Sequence, residues 1–92
     1  MTRVSWGRPV EKQLRRCPEV IVRKLRIWVA LVEMSGIREV RKWKGFHDEP
    51  LHGDRQGQRS VRLNRAYRAI YEETQQGDIT MIEVVEVNKH DY

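Results

Sequence analysis

Cysteine is nearly absent from this chain of 92 residues. Cys17 is the single example, which excludes an intrachain disulfide and a zinc site built on several cysteines. No apolar run approaches the roughly 18 residues that a membrane-spanning helix requires, and the N-terminus lacks the apolar segment of a secretory signal peptide. Internal repeats and low-complexity segments are also missing. These absences predict a cytoplasmic protein with no membrane partner. The length predicts one domain, over residues 1–92.

Acidic residues are scarce in the first half of the chain. Residues 1–46 carry twelve Lys and Arg against four Asp and Glu, a net charge of +8. Residues 47–92 carry six against nine, a net charge of −3, and the whole chain is +5. This balance favours a polyanionic partner, nucleic acid before a membrane surface, although a merely solvated basic surface would give the same totals.

Hydrophobic periodicity predicts two helices after a short N-terminal strand at residues 2–6. Pro9 suits the first turn of a short helix, and Pro18 suits the first position of a longer one that Gly36 ends. The apolar face of the longer helix has helical spacing and comprises Ile21, Leu25, Trp28, Val29 and Val32. Trp28 is therefore predicted to be a core residue and not a binding residue. Residues 37–57 are predicted to form a long irregular loop.

The second half of the sequence predicts an antiparallel meander. Residues 58–63 and 67–71 alternate between apolar and polar side chains, and residues 79–87 are almost continuously apolar, as in a central strand. The inward-facing residues of the sheet are predicted to be Val61, Leu63, Tyr67, Ala69, Tyr71 and Val85. The predicted fold is α+β, with an N-terminal strand and two helices packed on a three- to four-stranded, mainly antiparallel sheet.

Arginine recurs every three or four residues along the predicted hairpin, at positions 55, 59, 62, 65 and 68. A three-residue loop at 64–66 places Arg62 opposite Arg68. Like charges directly across a strand pair cost stability, so an anion held between them would offset the repulsion. Guanidinium groups suit phosphate because they bind it in a bidentate manner. The alternative is that these arginines are solvated or pair with nearby acids, namely Glu72, Glu83 or Glu86.

Two stretches of the sequence resemble a known family. "PLHGDRQGQRSVRLNRAYRAIY", residues 50–71, and the terminal "EVVEVNKHDY" resemble RelE-superfamily toxins, most closely the HigB-like branch. The resemblance covers about the last 45 residues. It implies a RelE/ParE-like fold and a type II toxin that cleaves mRNA in the ribosomal A site without metal or other cofactor. It also implies a cognate antitoxin and contact with 16S rRNA as partners. The ParE-like branch, which inhibits DNA gyrase, is the alternative, as is a nucleic-acid-binding module without catalysis.

The resemblance also implies a set of site residues. Arg68 matches the family's arginine for the scissile phosphate, and Asp91-Tyr92 matches an Asp-Tyr pair near the HigB C-terminus. The chain departs from HigB in having His52 in place of a lysine, Glu49 in place of a histidine, and its terminal histidine before the Asp-Tyr pair.

Cleavage through the ribose 2′-hydroxyl requires a base, an acid for the leaving 5′-oxygen, and cations on the phosphate. His90 is the best titratable candidate, with Asp91 as its orienting partner or as the base and Tyr92 as a stacking residue. Arg68 and His52 complete the catalytic set. The candidates for contact with the RNA backbone are Arg62, Arg55, Arg59, Lys89 and Glu49. A metal site among His47, Asp48, Glu49, His52, His90 and Asp91 is disfavoured, because their spacing fits no metal motif and the nearby arginines repel cations.

Overall fold

A computed structural model describes residues 1–89, so the predictions for His90, Asp91 and Tyr92 lie outside the described residues. The strands are β1 (Thr2–Ser5), β2 (Glu49–Pro50), β3 (Gln58–Arg62), β4 (Tyr67–Gln76) and β5 (Ile79–Lys89). The helices are α1 (Arg8–Arg15), α2 (Glu19–Ser35) and α3 (Ile37–Val40), with 3₁₀ turns at Lys44–Phe46 and Gly53–Arg55. The predicted α+β class is confirmed. Within residues 1–89, none of the helices combines the length and apolar character needed to cross a membrane.

The helices begin and end where the sequence contains helix-breaking residues. Gly7 precedes α1, and Pro9 occupies its first turn, where the absent N–H has no helical partner to lose. Pro18 was predicted to be the first residue of α2, but it has an extended ψ of 148° and is the N-cap, so the helix begins one position later, at Glu19. Gly36, at φ 86°, ends α2 in the left-handed region that side chains disfavour.

Within residues 1–89 the sheet has five strands in the order β1-β5-β4-β3-β2, one more than the largest number predicted. β3 to β5 form the predicted antiparallel meander, and β2, which was not predicted, pairs antiparallel with β3. β1 lies parallel to β5. The predicted hairpin register is confirmed, because Arg62 pairs with Arg68 and Val61 pairs with Ala69. Gly77, at φ 58°, allows the tight turn from β4 to β5.

One face of the sheet packs on α1 and α2 to form the core. Ile21, Leu25, Trp28 and Val32 of α2 are fully buried there, and the Trp28 ring lies 5.3 Å from that of Tyr71. Val85 was predicted to point inward and does not. A bulge pairs Ile70 with Glu86 and Tyr71 with Val84, which leaves Val85 as an extra residue. The inward positions of β5 are therefore Ile82, Val84 and Val87.

The prediction of an irregular loop at residues 37–57 is wrong for much of that segment. It contains α3, two 3₁₀ turns and the short strand β2, and it buries Ile37, Val40 and Phe46 in the core. These elements are two to four residues long, too short to show a sequence period. Within this segment, α3 packs against α2, whereas the turn at Lys44–Phe46 and the strand β2 lie against β3.

Leu25 tests the helix–sheet core. Leu25→Ala is expected to lower the free energy of unfolding by about 2–5 kcal/mol, because the side chain is fully buried and its loss leaves a cavity. Ile27→Ala on the same helix is the matched control, since Ile27 is 48% exposed and its loss is expected to cost much less. Urea melts measure both values. Equal effects from the two substitutions would contradict this assignment of the helix faces.

Candidate functional site: a cationic cleft on the open sheet face

The face of the sheet opposite the helices carries a row of polar side chains. Successive side chains along a strand alternate between the two faces of the sheet. Arg62 lies between the inward-facing Val61 and Leu63, and Arg68 precedes the inward-facing Ala69, so both arginines point to the open face. Arg62, Arg68 and Asn88 are register neighbours on β3, β4 and β5. The next row across the sheet comprises Glu49, Ser60, Ile70 and Glu86. The outward face is therefore mixed in charge, with both arginines in one row.

A cleft lies between β2, β3 and β4 at the hairpin end of this face. Its lining is almost entirely polar and comprises His47, Glu49, Ser60, Arg62, Asn64, Arg65, Tyr67 and Arg68. Asn64 shapes the hairpin tip, because its side-chain oxygen accepts hydrogen bonds from the backbone N–H groups of Ala66 and Tyr67, each at 2.8 Å. The cleft thus combines three guanidinium groups with one carboxylate and one imidazole.

Arg62 and Arg68 differ from the neighbouring arginines in their partners. Within residues 1–89, ion pairs engage Arg55 and Arg59 but neither Arg62 nor Arg68. Arg68 donates a hydrogen bond of 3.4 Å from Nε to the neutral side chain of Asn88. The Arg62–Arg68 pair consequently presents positive charge to the cleft, which is the arrangement that an RNA phosphate would neutralise.

Arg55 shares the open face but is held by an acid. Its guanidinium contacts Glu86 Oε1 at 2.6 Å and Gln58 Oε1 at 3.0 Å, so the side chain reaches from the β2–β3 loop across Ile70 to β5. Burial alone would raise the pKa of Glu86, but hydrogen bonds from Arg55 and Asn88, with the charges of Arg55 and Arg68, lower it below its ordinary value. Glu86 is therefore an anion near neutral pH. Its ion pair with Arg55 connects the β2–β3 loop to β5.

Arg59 lies on the opposite face and contacts a buried carboxylate. Its Nε donates to Asp48 Oδ1 at 2.6 Å, and the Asp48 side chain is only 1% exposed. The Tyr71 hydroxyl donates to Asp48 Oδ2 at 2.5 Å, and Arg41 Nε approaches Oδ1 at 3.9 Å. Burial raises the pKa of Tyr71, and the hydrogen bond to Asp48 raises it further. This cluster anchors residue 48, whose neighbours His47 and Glu49 line the cleft.

His52 and Lys89 lie away from the cleft. His52 is exposed on the β2–β3 loop and is not among the lining residues. Lys89 pairs with Tyr67, one position beyond Asn88, so alternation directs its side chain away from Arg68. His90, Asp91 and Tyr92 follow Lys89 directly and stay predictions. Of the predicted set, the structure brings together Glu49, Arg62 and Arg68.

Sequence reasoning missed several residues of the cleft and its support. Ser60, two residues before Arg62 on the same strand, is identifiable from strand alternation alone, and it is buried at 5% exposure. His47 lies in the cleft with a left-handed φ of 46°, and its Nε2 is 3.5 Å from Glu49 Oε2. Asp48 has no sequence signal for burial, because its three partners come from positions 41, 59 and 71.

Comparison with solved structures identifies the architecture. A YoeB/ParE toxin from Agrobacterium tumefaciens superposes with a TM-score of 0.74 and 20% identity, covering 97% of this chain and 99% of the toxin. YafQ from E. coli strain BL21(DE3) gives a TM-score of 0.71 and 15% identity, with coverages of 98% and 94%. The YoeB-YefM complex from Staphylococcus aureus gives 0.70 and 15%, with 99% of both chains covered.

The chain has the fold of these toxins. Coverage is nearly complete in both directions. No protein-family model and no curated protein sequence matches the chain. The RelE/ParE-like fold implied by residues 50–71 and the terminal segment is therefore confirmed, while the HigB-like branch stays a prediction.

Proposed function

We propose that this chain is the toxin of a type II toxin–antitoxin pair and that it cleaves mRNA on the ribosome. The toxin role is supported by the fold, because the structural neighbours are YoeB and YafQ toxins, several of them in complex with the antitoxins YefM and DinJ. By the same likeness, the partners are a cognate antitoxin and, during cleavage, mRNA in the A site beside 16S rRNA.

The cleft is the observation that carries the ribonuclease assignment. Arg62 and Arg68 lie side by side on neighbouring strands at a cost in repulsion, and they line the same surface as the Glu49 carboxylate. A phosphodiester bound between the two guanidinium groups would remove the repulsion. It would also bring the adjacent ribose hydroxyl beside a group that can accept its proton.

Each part of the reaction has a candidate in the chain. Glu49 takes the proton of the 2′-hydroxyl as its oxygen attacks phosphorus. Arg62 and Arg68 stabilise the negative charge that builds on the phosphate oxygens. The bond from phosphorus to the 5′-oxygen then breaks, leaving a 2′,3′-cyclic phosphate, and an acid protonates the departing oxygen. His90 is the proposed acid, with Asp91 to orient it and Tyr92 to stack on a base.

Inhibition of DNA gyrase is the second candidate function, because the Agrobacterium neighbour is described as a YoeB/ParE toxin. The two candidates differ in their cellular target. A gyrase inhibitor induces DNA damage and leaves mRNA intact, whereas a ribosome-dependent nuclease cuts within codons.

Brief induction of the chain alone tests the proposed function. Growth is expected to stop, and the small neighbouring gene is expected to restore it when co-expressed. Primer extension on an abundant mRNA is expected to show discrete cuts within codons after induction.

The control transcript is the same mRNA without its start codon, which ribosomes do not translate and which is expected to stay intact. Cuts in both transcripts would show that cleavage does not require the ribosome. Normal growth at high soluble expression would contradict the toxin role itself.

A further inference from the structure

An exposed tryptophan lies in a basic segment that leads along the chain into His47, a residue of the cleft. The segment between α3 and β2 contains Lys42, Trp43, Lys44 and Phe46, which together form what we name the Trp43 platform. Trp43 is 39% exposed, whereas Phe46 beneath it is only 5% exposed. The two rings are stacked, with centroids 6.4 Å apart and planes inclined by 22°. The stack thus has an inner ring fixed in the core and an outer ring open to solvent.

Lysines flank Trp43 in the sequence, and another lies over the inner ring of the stack. Lys42 and Lys44 are both exposed, and Lys24 of α2 places its ammonium 4.8 Å from the Phe46 ring centroid. Lys42 pairs with Glu39 at 3.4 Å, and the two side chains are 72% and 55% exposed. Such an exposed pair is worth little, so a phosphate can replace Glu39 at small cost.

An aromatic face among cations is the chemistry that binds unpaired nucleic acid. Bases stack on the ring regardless of their identity, while the lysines contact the backbone phosphates. The platform also leads directly into the cleft along the chain, because Phe46 is followed by His47, which is one of the lining residues. We infer that the Trp43 platform binds an unpaired base and the adjoining phosphates of the same RNA whose scissile phosphate lies at Arg62 and Arg68. This inference rests on the proposed function, since it takes RNA as the ligand.

The test uses the full chain and a short 2′-O-methyl RNA oligonucleotide, which lacks the attacking hydroxyl and stays uncut. Trp43→Ala is expected to weaken binding roughly five- to a hundredfold, the usual range for loss of one stacked base. Trp43→Phe keeps a ring and is expected to retain most of the affinity, but to lose most of the tryptophan fluorescence quenching by RNA. Trp28 is fully buried and cannot report such stacking. Trp6 follows β1, three strand positions from β3, and its Nε1 donates a hydrogen bond to Glu11, so Trp6→Phe is the background variant for the fluorescence measurement.

The lysines are tested through the salt dependence of binding. Lys42→Ala with Lys44→Ala is expected to reduce the slope of log K against log salt by about 1.4, because each single-strand phosphate contact contributes about 0.7. Arg3→Ala with Arg8→Ala removes the same charge and is the matched control. Arg3 lies on β1, three strands from β3 and thus about 14 Å away, beyond the screening length of about 8 Å at physiological salt.

The outcomes separate this inference from the proposed function. If RNA binds, and Arg68→Ala weakens it while Trp43→Ala does not, the platform assignment is overturned and the cleft assignment stands. If the wild-type chain binds no RNA oligonucleotide, this inference is overturned, whereas the proposed function is decided separately by cleavage of translated mRNA. If Trp43→Ala weakens only the complex with the product of the neighbouring gene, the surface belongs to a protein partner and the RNA assignment is wrong.

Discussion

Replacing Arg68 with alanine is expected to lower the rate of mRNA cleavage about a hundredfold or more while leaving the chain folded. A cation aimed at charge that develops in the transition state is typically worth at least that factor. The fold is expected to persist because Arg68 faces Arg62 across the strand pair, so removing one of the two charges relieves repulsion. Single-turnover cleavage of ribosome-bound mRNA measures the rate, and a thermal melt of each variant checks the fold.

Two further arginine variants are compared with Arg68→Ala. Arg62→Ala is expected to lower the rate as well, because Arg62 lies beside Arg68 in the cleft. Arg3→Ala on β1 is the control for a change of net charge alone and is expected to leave the rate unchanged. Wild-type cleavage by Arg68→Ala, or a loss of cleavage explained by unfolding, would mean that the paired arginines are an ordinary solvated basic surface.

Replacing Asp48 with alanine is expected to lower the free energy of unfolding by about 3–5 kcal/mol, which is the usual cost of removing one partner from a buried ion pair. The carboxylate is 1% exposed, and it accepts hydrogen bonds from Arg59 and Tyr71. Without it, the Tyr71 hydroxyl loses its acceptor and Arg59 is left uncompensated. Urea denaturation measures the change.

Glu73→Ala is the matched control for Asp48→Ala. Glu73 also pairs with Arg41, at 2.9 Å, but its side chain is 32% exposed and solvent screens the pair. Its removal is expected to cost no more than about 1 kcal/mol. If both variants lose the same small amount, Asp48 does not anchor the segment that carries His47 and Glu49.

The behaviour of Arg59 shows why spacing alone does not define a site. Five arginines recur along the hairpin at similar intervals, yet they have different environments. The cleft is lined by Arg62, Arg65 and Arg68. Arg55 is bound to Glu86, and Arg59 is bound to Asp48 on the other face. Strand alternation separates Arg59 from Arg62, but only the fold of residues 41–48 supplies the carboxylate that holds it.

The sequence by itself determined the elements whose signals are local and repeated. The helical spacing of Ile21, Leu25, Trp28 and Val32 predicts α2, and period-two alternation with a short loop predicts the β3–β4 register that pairs Arg62 with Arg68. These follow because a single buried face imposes one period on a long enough segment. The resemblance of residues 50–71 to RelE-superfamily toxins predicts the fold, and the likeness to the solved toxin structures confirms it.

Tertiary structure alone decided the features that join distant segments of the chain. β1 lies parallel to β5, and the helices connect it to the later strands. Strict alternation from Val87 would place Val85 on the inward face, but the bulge between Ile70 and Tyr71 makes Val85 an extra residue and puts Val84 there instead. Asp48 is buried because its partners converge on it from three other segments. Such contacts follow no repeating spacing in the sequence, so sequence periodicity does not predict them.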